Sequence, residues 1–297
     1  MPDFPIVDTH VHLWDPAYLR LPWLDNADIL NKRYTLPEYE QSTRGVEIEG
    51  IVYVEVDAAP QVVLIEAKWA ALQTRTAYTP NGAMSEKKTP DFVLGIVANA
   101  PIEFGEQVRA YLDELVQISP RIKGVRRLLQ AESDNAYCLR PNFVRGVQIL
   151  AEYGLSFDLG ITHRQLASVT ELVQRCPDVT FILDHLGKPD IKGNGLDPWR
   201  QDITTLAAFP HVACKVSGAV TEADLVHWSS DDLAPYISHI LDAFGEDRVL
   251  FGSDWPVMLN ATNYQRWIVT LDTLTSDLSV TAKRKLWNEN ARRYYRL

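Results

Sequence analysis

Short apolar runs recur along the chain, and each one ends in polar or small residues. The runs are rich in β-branched residues and almost continuously hydrophobic, which is typical of strands that helices cover on both faces of a sheet. Eight such runs are present, at residues 6–9, 50–56, 92–98, 122–129, 155–161, 179–184, 212–217 and 249–252. We therefore predict eight buried parallel strands.

Segments with helical spacing lie between these runs. The first begins at Thr35, with Pro37 near its start and Glu38 at the capping-box position. The others cover residues 61–76, 103–117, 142–153, 164–175, 198–208, 232–244, 263–274 and 281–295. Alternating strands and helices imply right-handed crossovers, and eight repeats favour a single-domain (β/α)8 TIM barrel over residues 1–297. Residues 14–34 and 79–90 are predicted to be longer loops, the first on the face where barrels carry active sites.

Two histidines, His10 and His12, follow the first strand in the run DTHVH. Residues two apart on a strand share a face, so both imidazoles are expected to point into the mouth of the barrel. Neutral imidazoles that converge in this way suit a borderline metal such as zinc. The alternative is a pair of histidines satisfied by hydrogen bonds, and their position at the end of a barrel strand favours the metal.

Polar residues also close the sixth and eighth strands. His185 follows the apolar residues of strand six and could bind a metal, or hydrogen-bond a substrate carbonyl and the attacking water. Its neighbour Asp184 is predicted to point the opposite way and to be structural. Asp254 is normally ionised, so it can hold a metal and accept a proton from water. We expect His185 and Asp254 to be catalytic, and Asp254 to share a metal with His10 and His12.

Further residues at strand ends are candidates for substrate handling. His163, after strand five, is predicted to be a metal ligand or a substrate contact, with an ordinary loop residue as the alternative. One of Arg126 and Arg127 should face the pocket, where a guanidinium binds a carboxylate or polarises a carbonyl. The other substrate-binding candidates are Glu55, which could accept hydrogen bonds from hydroxyls, Lys215, which could donate to substrate or to Glu55, and Trp14 and Trp23, which could form apolar walls.

Composition and charge limit the classes of function. The 297 residues carry a formal net charge of −10, which disfavours nucleic acid and anionic membranes as partners. No apolar run reaches the roughly 18 residues of a membrane span, and the start of the chain lacks the pattern of a signal peptide. Three isolated cysteines are interpreted as buried free thiols in a reducing compartment. We expect a cytoplasmic protein that acts on a small molecule, and a homo-oligomer is compatible with the sequence.

Seven short segments, spread along the chain in strand order, form a recognisable set. They are DTHVHLWDP at 8–16, KGVRRLLQ at 123–130, FDLGITHRQL at 157–166, FILDHLGKP at 181–189, CKVSG at 214–218, FGSDWPV at 251–257 and NENARRYY at 288–295. With these motifs the chain resembles the amidohydrolase superfamily. It is most similar to the amidohydrolase 2 group of sugar-lactone hydrolases, which also contains 2-pyrone-4,6-dicarboxylate hydrolase.

The resemblance implies a TIM-barrel hydrolase that opens a cyclic ester, an aldonolactone such as L-rhamnono-, L-fucono- or galactono-lactone. It makes His10 and His12 the strand-one ligands, His185 the strand-six histidine and Asp254 the catalytic aspartate of strand eight. His163 falls at a position that varies in the family. The resemblance also implies one divalent ion, typically zinc, because the end of strand four lacks the lysine that a binuclear centre would need.

The resemblance leaves several mechanisms open. In the first, water activated between the metal and Asp254 attacks the lactone, while His185 or an arginine stabilises the oxyanion. Asp254 then returns the proton to the leaving ring alkoxide. In the second, hydrolysis is metal-free, Asp254 alone is the base, and the histidines and arginines bind a pyrone dicarboxylate. A related metal-dependent decarboxylase and a non-catalytic sugar-acid binding protein are the remaining alternatives.

Overall fold

Eight parallel strands form the centre of the structure, a computed structural model that describes residues 2–73 and 91–297. They pair in chain order in one sheet. The Asp254 N–H donates to the His10 carbonyl at 2.9 Å and the His12 N–H donates to the Trp255 carbonyl at 2.8 Å, which joins the last strand to the first. The predicted (β/α)8 barrel is therefore confirmed. The strands are β1 Ile6–Val11, β2 Ile48–Val54, β3 Val93–Ala98, β4 Ile122–Arg126, β5 Ser156–Leu159, β6 Phe181–Leu183, β7 Val212–Val216 and β8 Val249–Phe251.

Helices surround the barrel. They are α1 Leu36–Ser42, α2 Val63–Leu72, α3 Val108–Ile118, α4 Pro141–Leu150, α5 Leu166–Arg175, α6 Trp199–Ala207, α7 Ala219–Glu222, α8 Ser230–Phe244, α9 Tyr264–Leu274, α10 Val280–Arg284 and α11 Asn290–Tyr295. Thr35 caps α1 as predicted, and its backbone N–H donates to the Glu38 carboxylate at 2.9 Å. The end of the helix predicted at 61–76 and the loop predicted at 79–90 lie outside the described residues. Within the described ranges, no helix is long and apolar enough to cross a membrane.

Several strands end earlier than their apolar runs. The run at 122–129 was predicted to be all strand, yet β4 ends at Arg126. The N–H groups of Leu129 and Gln130 instead both donate to the Gly160 carbonyl, at 2.9 and 3.1 Å. Leu129 is buried in the loop after the strand, so its hydrophobicity extends the apolar run beyond the ladder.

The inside of the barrel changes from apolar to polar along its axis. Its lower part is filled by side chains such as Val52, Ile182 and Leu250, and α11 closes that end with Tyr295. The helices pack on the outside through a second, larger apolar cluster. Towards the opposite, C-terminal mouth the inward side chains are polar, and this is the face on which barrels carry their active sites.

Candidate active site

Four buried side chains converge at the C-terminal mouth of the barrel. The Nε2 atoms of His10 and His12 are 3.1 Å apart. Asp254 Oδ1 lies 3.4 Å from His12 Nε2, 3.8 Å from His10 Nε2 and 3.9 Å from His185 Nε2. His10, His185 and Asp254 each offer a ligand atom within 4.8 Å of the others. The structure thus brings the four predicted residues together, and we call them the mouth cluster.

An irregularity in β1 turns its two histidines into the mouth. Val7 packs inside the barrel, whereas Asp8 points to the helices and accepts a hydrogen bond from the Tyr39 hydroxyl at 2.9 Å. Strict alternation from Val7 would place His10 on the outside. The pairing with β2 shifts between Asp8 and Val11, and this break moves His10 to the inner face, as β-bulges near active sites commonly do.

A hydrogen bond on the far side of the His12 ring determines which of its nitrogens faces the cluster with a lone pair. His12 Nδ1 lies 2.9 Å from the Val54 carbonyl, which can only accept, so Nδ1 carries the proton. His10 Nδ1 has contacts of both kinds, with the Asp184 carboxylate at 3.3 Å and with the donor-only Lys215 Nζ at 3.2 Å. His12 therefore presents an Nε2 lone pair to the mouth, and His10 Nε2 lies 3.1 Å from it.

His185 reaches the cluster through a left-handed turn. The φ angles of His185, Leu186, Gly187 and Lys188 are +53°, +58°, +70° and +47°, and the Lys188 N–H donates to the His185 carbonyl at 2.8 Å. Asp254 is also left-handed, with φ of +62°. Such backbone is strained for residues other than glycine and persists where the surrounding structure imposes it, most often at functional sites.

Gly218 provides the space in which the His185 ring lies. A Cβ at Gly218 would be 2.5 Å from His185 Nδ1 and 2.9 Å from its Cβ, and the φ of +61° also favours glycine. The neighbouring Ser217 Oγ is 2.9 Å from His185 Nδ1. The end of β7 therefore fixes the position of the ring from two sides.

We expect Gly218→Ala to lower kcat/KM by about a hundredfold, because the added methyl must displace the His185 ring by a large fraction of an ångström. Gly154→Ala is the matched control, since Gly154 has φ of +63° but nothing within 4 Å of an added Cβ. It should lose about 1–2 kcal/mol of stability and keep its activity. Steady-state kinetics and thermal melts of the two variants test this, and equal losses of activity would contradict it.

Burial keeps the imidazoles of His10 and His185 neutral. It lowers the pKa of His10 well below the usual value, and it lowers the pKa of His185 to about 4 although the Asp254 charge opposes it. Burial alone would raise the pKa of Asp254, but His185 and His12 outweigh that effect and hold it below its ordinary range. At neutral pH the mouth cluster thus combines the uncharged rings of His10 and His185 with the ionised carboxylate of Asp254.

This set of donor atoms fits a divalent ion. Zinc lies about 2.0–2.2 Å from imidazole nitrogen and carboxylate oxygen, so tetrahedral ligand atoms are about 3.3–3.6 Å apart. Asp254 Oδ1 lies 3.4 to 3.9 Å from the Nε2 atoms of the three histidines, and the Nε2 atoms of His10 and His12 are 3.1 Å apart. The cluster is therefore a candidate site for one divalent ion.

A buried ionic network lies directly beneath the mouth cluster. Arg126 points inward, and its Nε donates to Glu55 Oε1 at 2.6 Å while Nη1 lies 3.2 Å from Asp184 Oδ2. Lys215 Nζ lies 2.7 Å from Asp158 Oδ2 and 3.0 Å from Asp184 Oδ1. Because Asp184 also contacts His10, the network supports the cluster from below.

This network bears on three predictions. Glu55 and Lys215 are fully buried and are not among the residues that line the pocket, and Lys215 pairs with aspartates rather than with Glu55. Both lie one layer below the mouth, where the nearest groups are charges on neighbouring strands. Asp184 was predicted to point away, but it shares the inward face of β6 with Ile182. His185 reaches the mouth through its turn and not through strand alternation.

Two more candidates lie outside the mouth cluster. Arg127 pairs with Glu103 at 3.2 Å and Glu132 at 2.7 Å, because alternation along β4 gives the inward position to Arg126. His163 Nδ1 lies 2.9 Å from the Lys188 carbonyl, and His163 is not part of the ligand group of His10, His185 and Asp254. β5 ends at Leu159, which leaves His163 in a turn beyond the strand.

A pocket of about 290 Å³ opens above the mouth cluster. Trp14 and Trp23 line it, and their indole N–H groups donate to backbone carbonyls at 2.9 and 2.8 Å, so their rings offer the pocket apolar surface. Asp57, Gln130 and Lys188 line it as well, and the sequence analysis missed them. These three residues could have been predicted from their positions, because each comes shortly after the end of a strand.

Glu66, on α2, is a buried acid near this network. Its Oε1 accepts hydrogen bonds from the Tyr53 hydroxyl at 2.8 Å and the Val56 N–H at 2.9 Å. Burial and the charge of Glu55 raise its pKa from 4.5 to about 8. An acid whose pKa is higher in the folded chain stabilises the fold fully below its unfolded pKa, and this contribution is lost as the pH rises through the folded pKa.

We therefore expect Glu66→Gln, which keeps the accepting oxygen and cannot ionise, to be more heat-stable than the parent protein above about pH 8. The difference should shrink as the pH falls towards 5. Thermal melts across this range test the prediction. Parallel curves for the two proteins would show that Glu66 is ionised in the fold.

Two sugar lactonases are similar to this chain in sequence over nearly its whole length, and a zinc-bound crystal structure is similar to it in fold. An L-fucono-1,5-lactonase from Burkholderia multivorans is 30% identical over 98% of this chain and 96% of its own. An L-rhamnono-gamma-lactonase from Scheffersomyces stipitis is 24% identical, with all of both chains covered. An amidohydrolase from Burkholderia multivorans, crystallised with bound zinc, has a TM-score of 0.85 at 27% identity and covers 99% of this chain and 100% of its own.

The family model described as "Amidohydrolase" matches residues 7–297. The match includes β1 with His10 and His12, the turn of His185 and the end of β8 with Asp254. It confirms the resemblance seen in the sequence motifs. This chain belongs to the amidohydrolase 2 family.

Proposed function

We propose that this protein hydrolyses the lactone of a sugar acid. The observation that carries the proposal is the convergence of three imidazoles and an ionised carboxylate at the floor of a pocket that two tryptophans wall. The lactonase names of two relatives support it. The proposed substrate is an aldonolactone such as L-fucono-, L-rhamnono- or galactono-lactone.

Asp254 is the proposed proton carrier. In lactone hydrolysis a water oxygen bonds to the carbonyl carbon, and the bond from that carbon to the ring oxygen breaks. Asp254 Oδ1 accepts the proton of the attacking water and delivers it to the ring oxygen as it leaves. The ionised state of Asp254 and its place at the floor of the pocket suit it to both transfers.

His10, His185 and Asp254 would hold one divalent ion, with His12 beside them as a further donor, and zinc matches these donors best. The chemistry that such an ion would supply is polarisation of the lactone carbonyl and a lower pKa of bound water, near about 7. The protein's own part is to keep His10 and His185 neutral and to direct the Nε2 lone pair of His12 at the mouth.

The pocket favours an uncharged ring over a pyrone dicarboxylate. Among the described residues, Arg126 is the one arginine that lines it, and its guanidinium is already bound by Glu55 and Asp184. Two carboxylates would need two available cations, and only Lys188 remains. The small volume and the tryptophan walls suit a single sugar ring.

A panel of 1,4- and 1,5-aldonolactones, assayed by acid release with and without a chelator, tests the proposal. We expect turnover of at least one aldonolactone and none of 2-pyrone-4,6-dicarboxylate. Turnover of the pyrone alone would support the metal-free alternative, and CO2 release without ring opening would support a decarboxylase.

We further propose that the protein works in the cytoplasm on a small lactone, without nucleic acid or membrane as a partner. Cys138, Cys176 and Cys214 are buried and free, which suits a reducing compartment.

A further inference from the structure

Lactone hydrolysis changes the charge of the molecule in the pocket, if the proposed function holds. The lactone is neutral, whereas the hydroxy acid that forms from it is ionised at neutral pH. The new carboxylate arises beside Asp254, which is itself ionised. The cations that line the pocket therefore matter more for the product than for the substrate.

Lys188 is the lining cation that is free to take a new partner. Its Nζ lies 3.7 Å from Glu222 Oε1, which is within ion-pair range but too long for a hydrogen bond. The two side chains are about a quarter exposed, at 24% and 25%. Arg126, in contrast, is buried and held at 2.6 Å by Glu55. The Lys188 ammonium can therefore leave Glu222 at little cost.

Lys188 also lines a second, polar pocket of about 550 Å³. This exit pocket, as we call it, shares Lys188 and Gln130 with the pocket above the mouth cluster, which we call the reaction pocket. Its other walls carry His163, Arg164 and the carboxylates of Glu132, Asp190 and Glu222. One ammonium group thus stands at the boundary between the place where the product forms and a polar space beside it.

His163 holds the backbone of Lys188 at this boundary. Its backbone N–H and its Nδ1 lie 3.3 and 2.9 Å from the Lys188 carbonyl. Lys188 ends the left-handed turn that carries His185, so these two contacts fix a strained segment. His163 is in this view a positioning residue and not a ligand.

We infer that Lys188 binds the carboxylate of the hydroxy-acid product and guides it from the reaction pocket into the exit pocket. Glu222 is the competing partner that takes the ammonium back when the product has left. The ligand class is an aldonate, a polyhydroxylated monocarboxylate. A neutral lactone makes no such ion pair. Lys188 therefore strengthens the binding of the product and not that of the substrate.

Inhibition by an added aldonate tests the inference. For Lys188→Met we expect the inhibition constant of L-fuconate to rise about tenfold, while KM for the lactone changes by less than about threefold. Glu222→Gln, which frees the ammonium, should tighten inhibition. Lys192→Met is the matched control, because Lys192 pairs with Asp224 at 3.6 Å and is 68% exposed. It should match the parent protein.

The role of His163 has a separate readout. His163→Ala should weaken L-fuconate inhibition in the parent protein and have no further effect in the Lys188→Met background, because it acts through Lys188. Additive effects of the two substitutions would contradict the positioning role.

An unchanged inhibition constant in Lys188→Met, or an equal rise in KM, would overturn the inference while the lactonase proposal stands. If no lactone is turned over, the proposed function fails. Calorimetric titration of L-fuconate into the parent protein and into Lys188→Met then tests the role of Lys188 independently of turnover. Weaker binding by the variant supports the role of Lys188. Equal binding, or none by the parent protein, contradicts it.

Discussion

Asp254→Asn is expected to lower kcat on a sugar lactone by about a thousandfold, with a much smaller change in KM. Asparagine has nearly the same shape but cannot accept the proton of the attacking water or return it to the ring oxygen. The substitution also removes the one negative charge of the mouth cluster, which lies 3.4 Å from His12 Nε2. Steady-state kinetics on the best lactone of the panel provide the measurement.

Asp57→Asn is the matched control for this prediction. Asp57 is a second carboxylate that lines the same pocket, but it is not part of the mouth cluster. We expect the kcat of Asp57→Asn to stay within about tenfold of the parent value, because this variant can lose a substrate contact but keeps Asp254 as the base. Near-native turnover by Asp254→Asn, or an equal loss in Asp57→Asn, would refute the role of Asp254.

His10→Gln is expected to remove most of the bound metal and to lower kcat by about a thousandfold. His10 links the mouth cluster to the network beneath it, since Nδ1 contacts Asp184 and Nε2 lies 3.1 Å from that of His12. A chelator should have the same effect on the parent protein. Added zinc should restore the parent protein but not the variant, as elemental analysis and kinetics can show.

His227→Gln controls for the loss of a histidine as such, because His227 has a side chain that is 83% exposed. It should retain metal and activity. A parent protein that is purified without metal and keeps full activity in a chelator would contradict the metal site. Asp254 would then act as the base without help from an ion.

The sequence was sufficient to predict the barrel. Eight apolar runs that alternate with helices have few other solutions, and the ladder joins the strands in chain order. The ends of the strands could not be predicted as well. Leu129 shows the reason, because it is apolar and buried although the chain has already left β4.

The mouth cluster was predictable for a related reason. His10, His12 and Asp254 lie at or just after the C-terminal end of a strand, and parallel strands of a barrel all end at the same mouth. The directions in which the side chains of Asp184 and His185 point could not be predicted. They depend on a left-handed turn that consists mostly of residues other than glycine. The depth of Lys215 was hidden as well, since the sequence does not reveal which layer of the barrel a strand residue occupies.

The most direct test of the central claim is acid release from L-fucono-1,5-lactone, followed by pH-stat for the parent protein and for Asp254→Asn in parallel. The account predicts one equivalent of acid per lactone opened, at a rate about a thousandfold higher for the parent protein. If the parent protein releases acid no faster than Asp254→Asn, on this lactone and on the rest of the panel, the account is contradicted.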